Sequence, residues 1–140
     1  MHYRIEFISN RFDKSETAGA DNVNGYCGTD LVKFIYENLG LSKYSILNED
    51  WGRGVEYNVN NEIIEIHILD LRPGENLLGK ETNNDNPNWC VVVAVKITIK
   101  YLLIFKKFNY LPKCEVLGKQ IELMLLSAGD NVLSSNIETD

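Results

Sequence analysis

Histidine and cysteine are scarce in this chain, no apolar run is long and uninterrupted, and the familiar catalytic motifs are missing. Two histidines, His2 and His67, leave few candidates for acid–base or metal-ligand duty. Three cysteines, Cys27, Cys90 and Cys114, are an odd number without Cys-x-x-Cys spacing. That predicts reduced thiols rather than a disulfide framework, and no zinc quartet. The longest apolar stretch, Trp89 to Phe105, is broken by Lys96 and Lys100, and Lys96 to Tyr101 alternates as a strand does, so no membrane span is expected. There is no Gly-x-Gly-x-x-Gly, Walker loop, Gly-x-Ser-x-Gly elbow, His-Glu-x-x-His or EF-hand loop. No enzyme activity, metal or cofactor is therefore predicted. The first residues, Met1 to Phe7, lack an apolar segment behind a basic start, which predicts no secretory signal and a cytoplasmic location.

What is present is ordinary globular material. At 140 residues, with 44% hydrophobic and 24% charged side chains, residues 1–140 are expected to form a single α+β domain with one core and no internal repeat. Tyr3 to Ile8 reads as a strand with Tyr3, Ile5 and Phe7 inward. Asn10 to Gly25 is polar and glycine-bearing, hence a loop. A helix follows, with Thr29 or Asp30 as its cap, an apolar face of Leu31, Phe34, Ile35 and Leu39, and Gly40 at its end.

The centre of the chain is Asn48-Glu49-Asp50-Trp51-Gly52-Arg53-Gly54 and the two alternating runs behind it. Tyr44 to Leu47 is expected as a short strand leading in. Val55, Tyr57 and Val59 point one way and Glu56 and Asn58 the other; Ile64, Ile66 and Ile68 oppose Glu65 and His67. Asn60-Asn61 between the runs suits a tight hairpin turn. Gly52 and Gly54 predict a sharp bend or a bulge, and Trp51 is expected to lie over the sheet edge.

Pro73 to Asn88 reads as an exposed loop and Trp89 to Val95 as a strand. The alternation to Tyr101 favours continuing that strand, whereas Leu102 to Phe108 fits a helical turn or more sheet equally well. Val116 to Leu126 is expected to be helical, with Leu117, Ile121, Met124 and Leu125 on one side and Gly129 closing it, and Val132 to Ile137 is expected as a last short strand. The order predicts an α+β fold, a mostly antiparallel sheet of about five or six strands with two helices packed on one face.

Two chemistries compete for the function. Cys27 precedes a helix N-terminus, where exposed N–H groups lower a thiol pKa. With His67, itself on one strand face with Glu65, it would form a nucleophilic pair if the fold joined them. That gives the alternative of a small thiol-dependent hydrolase. Charge supplies the leading expectation. Residues 1–88 carry 8 basic and 15 acidic side chains, residues 89–119 carry 6 and 1, and residues 120–140 carry none and 4, for a net charge of −6. This balance argues against nucleic acid as a partner. Glu49, Asp50, Glu56, Glu62, Glu65 and Asp70 all lie in or beside the hairpin, whose solvent face is expected to be negative and to steer a cationic protein. Trp51 or Tyr57 would anchor that partner if exposed.

The run Gly28-Thr-Asp-Leu-Val-Lys-Phe-Ile-Tyr-Glu-Asn-Leu-Gly40 after an early strand, followed by Glu49-Asp50-Trp51-Gly52 opening a hairpin, resembles a group of small bacterial α+β proteins with a Glu-Asp-Trp-Gly turn. In size, acidity and lack of signal or catalytic motif, the chain is also similar to immunity proteins of bacterial contact-dependent growth inhibition and related polymorphic toxin systems. That resemblance implies a toxin inhibitor, an immunity protein that covers a cognate, basic toxin domain such as a nuclease. It transfers no residue role. A housekeeping interaction module is the remaining alternative.

Overall fold

Tyr3, Ile5 and Phe7 alternate with Arg4 and Glu6, and strand β1 (His2–Ile8) buries the first set while leaving the second half-buried. The other strands are β2 (Tyr44–Glu49), β3 (Gly52–Val59), β4 (Glu62–Asp70), β5 (Trp89–Val95) and β6 (Asn131–Glu138), and the alternation of burial recurs most regularly in β4. The computed structural model describes residues 2–15, 25–49, 52–59, 62–71, 86–96 and 111–138. Among these, all six strands join one antiparallel sheet in the order β2-β3-β4-β5-β1-β6. The expected α+β class, with two helices on one face, is what forms. The expectations for Asp50, Trp51, the Asn60-Asn61 turn, residues 73–85 and residues 97–108 fall outside the described residues.

Consecutive hairpins account for β2, β3 and β4, and β5 returns beside β4. The first strand then pairs between β5 and β6, with Tyr3 opposite both Val93 and Ile137. One row of buried side chains therefore runs across five strands, through Val55, Ile66, Val93 and Tyr3 to the partly buried Ile137. Ile5, Phe7, Ile66 and Val91 are fully buried, each burial stabilising the fold by roughly 1.5–3 kcal/mol.

Helix α1 (Thr29–Leu39) buries Leu31, Val32 and Ile35 and packs over β3. Its cap differs from expectation. Gly28 holds the N-terminus with φ 118°, and no side chain caps it. A Cβ at Gly28 would lie 3.1 Å from Ile68 Cγ2 and 3.3 Å from the Trp89 ring, so close approach to the sheet decides this position. Asp30 instead accepts the Asp13 N–H at 2.7 Å, tying the first loop to the helix. Gly40, at φ 64°, ends α1 as expected.

Helix α2 (Leu111–Ser127) starts five residues before the expected Val116 and packs on β1, β5 and β6. Pro112 is tolerated there because first-turn N–H groups have no intrahelical acceptor. Cys114, Leu117, Ile121 and Leu125 form its buried stripe. Gly54 forms neither a bend nor a bulge but lies inside regular pairing with β2 and β4, whereas Gly52 opens β3 opposite Glu49 at φ 153°; a Cβ on either would come 2.5 Å from a carbonyl oxygen of β4.

Candidate partner-binding face

Glu56 on β3 and Glu65 on β4 stand directly opposite each other on the sheet face away from the helices, because Val55, Tyr57, Ile64 and Ile66 occupy the core positions between them. Like charges in direct cross-strand register repel. Lys96, the residue after β5, sits against both, its Nζ 2.7 Å from Glu56 Oε2 and 3.1 Å from Glu65 Oε1. His67 Nε2 is hydrogen-bonded to the other Glu65 oxygen at 3.0 Å. Burial acts to raise the Glu65 pKa, but the hydrogen bonds and charges of His67 and Lys96 outweigh it and hold this carboxyl below the usual range. Hydrogen bonds to Glu56 and then Glu65 raise the Lys96 pKa in turn. The result is two carboxylates sharing one exposed lysine.

Two acidic residues expected on this face, Glu62 and Asp70, lie elsewhere. Glu62 and Asp70 have the same parity in β4 as Ile64, Ile66 and Ile68, so both point to the helix side, at its two rims. Glu62 is ion-paired with Lys113 of α2. The Asp70 side chain is 1% exposed and meets Lys14 Nζ at 2.5 Å. Asp70 is thus removed from any partner surface, and its lysine also lies 4.6 Å over the Trp89 ring. Glu49 is exposed at the end of β2, opposite Gly52. Tyr57, weighed above as an aromatic anchor, is buried, and burial pushes its hydroxyl up to about 12.

Cys27 and His67 are not brought together. Cys27 belongs to the core on the helix side, next to the glycine that touches Ile68 and Trp89, whereas His67 points to the opposite sheet face between Gly54 and Val92. Cys90 and Cys114 are also buried, and none of the three is disulfide-bonded. Burial pushes the Cys90 thiol up to about 12, against the opposing influence of Arg4.

No protein-family model matches this chain, and no curated protein or solved structure matches it. The functional reading therefore rests on its own residues. Among the described residues no helix is long and apolar enough to cross a membrane.

Sequence reasoning missed two features. The first is Lys96 as shared counterion: its outward parity after β5 was readable, but not that β5 pairs with β4, since residues 71–88 separate them. The second is a charged chain across β1 and β6, where Arg4 binds Glu6 at 2.7 Å and His2 binds Glu138 at 2.8 Å. Arg4 and Glu6 share strand parity, a local signal, but Glu138 arrives only with the β1–β6 register.

Proposed function

We propose that the protein is a cytoplasmic binding protein, not an enzyme, and that it neutralises a cationic toxin domain as an immunity protein does. The observation that carries this reading is the Glu56/Glu65 pair. Two directly opposed carboxylates held by one exposed lysine form a site that a partner's lysine or arginine can enter, replacing Lys96 as counterion and relieving the cross-strand repulsion. Exposed Glu49, at the end of β2 opposite Gly52, adds to the negative surface.

The test is purification of the tagged protein from its native host, together with coexpression alongside the product of the gene directly upstream. A stable complex with a basic polypeptide that arrests growth on its own is the expected result. A protein recovered alone, beside a harmless neighbour, overturns the toxin reading in favour of a housekeeping interaction module.

A further inference from the structure

The two edges of the sheet are built differently. At β6 the register shifts between Glu6 and Phe7, so that Leu133 is inserted between Ser134 and Val132, the partners of Glu6 and Phe7; the strand's one charged residue, Glu138, is engaged by His2. Bulges of this kind blunt an edge against further pairing. At β2 no such device is present. Tyr44 to Glu49 pair with Tyr57 to Gly52 residue for residue on one side, and among the described residues no strand pairs with the other side. The strand contains neither proline nor lysine, and Ile46 at its centre is 49% exposed. Tyr44 is braced from α1 by Tyr36, whose ring stacks on it at 4.3 Å.

We infer that β2 is a self-pairing edge, joining a second copy of this chain in antiparallel register about a two-fold axis at Ile46. The charge pattern selects this occupant and this register. A two-fold axis perpendicular to the sheet keeps each face on its own side, so the strand must centre on a residue and cannot slip by one. Centred on Ile46, it sets Ile46 against Ile46, Ser45 against Leu47, and Tyr44 against Asn48. It also sets exposed Lys43 of each copy against exposed Glu49 of the other. Lys43 and Glu49, the charges flanking the edge among the described residues, are thereby paired twice, and the open N–H and C=O groups of two edges satisfy one another. The sheet becomes a continuous twelve-stranded one, with the Glu56/Glu65 site of each copy facing the same way. This inference does not depend on the toxin partner.

Sedimentation velocity on the isolated protein up to about 100 µM tests it, a concentration at which micromolar self-association is visible. The wild type is expected to sediment as a dimer that dissociates on dilution. Glu49→Lys and Lys43→Glu each convert two attractive pairs into two repulsive ones and are expected to raise the dimer dissociation constant by about tenfold. The double variant Lys43→Glu with Glu49→Lys restores opposite charges and is expected to regain wild-type association. These exposed positions leave the core untouched, and circular dichroism confirms that each variant is folded. A monomeric wild type, single variants that dimerise as the wild type does, or a double variant that fails to recover would each overturn the proposal.

Discussion

The backbone of Gly118 rests against the ring of Tyr3: a Cβ at position 118 would lie 2.1 Å from Tyr3 Cδ1 and 2.4 Å from Cγ. Helix α2 reaches β1 this closely only because residue 118 has no side chain. The Tyr3 hydroxyl then donates to Glu122 one turn further along, at 3.1 Å.

Gly118→Ala is therefore expected to destabilise the protein. Helix propensity alone would favour alanine by about 1 kcal/mol, but forcing α2 away from a packed aromatic ring costs about 1–3 kcal/mol or more and wins. Urea unfolding of the variant should show a lower midpoint, and an unchanged or raised midpoint would mean that the helix shifts freely.

Lys14→Met takes the Lys14 ammonium away from the buried Asp70 carboxylate and is expected to destabilise the protein by up to about 3 kcal/mol. Adding Asp70→Asn removes the buried charge and is expected to recover part of that loss. A double-mutant cycle by chemical denaturation measures the coupling. Arg11 and Asp130 repeat the arrangement at 2.5 Å, with the Asp130 side chain 2% exposed.

Glu65 supplies a pH dependence. Its folded pKa lies below the ordinary 4.5, so its contribution is present above that value and is lost as pH falls through the folded pKa. Glu65→Gln is expected to lower stability by about 1 kcal/mol at neutral pH. The difference from wild type should close in acid, as pH falls below 4.5 and through the lowered folded pKa. Thermal unfolding across that range reads it directly; a gap that persisted in acid would assign the effect to packing.

Charge variants at the candidate face separate electrostatics from shape. Glu56→Lys with Glu65→Lys is expected to weaken capture of a cationic partner about tenfold or more, chiefly in low salt. Lys96→Ala should have the opposite sign, because it uncovers both carboxylates. Equal affinity in all three proteins would remove the electrostatic basis of the proposed function.

Local pattern decided a great deal here. Alternation in 3–7, 55–59 and 64–68 and the helical stripe of Leu31 and Ile35 are periodic signals confined to one element, and each formed where its period placed it. The parity that sends Glu62 and Asp70 to the helix side was equally present in β4, yet summing acidic residues by segment obscured it. Charge counted along the chain ignores which face carries it.

The sequence by itself determined the types of the described elements, the buried faces of β1, β3 and β4 and the α+β class, because these follow from the period of apolar residues against the geometry of helix and strand. Only the tertiary structure decided what depends on partners distant in the chain. It inserted β1 between β5 and β6, put Lys96 between Glu56 and Glu65, set Cys27 and His67 on opposite sides of the sheet, and left β2 at an edge. Strand register between segments separated by long loops is set by the summed packing of the whole core, and no local period encodes it.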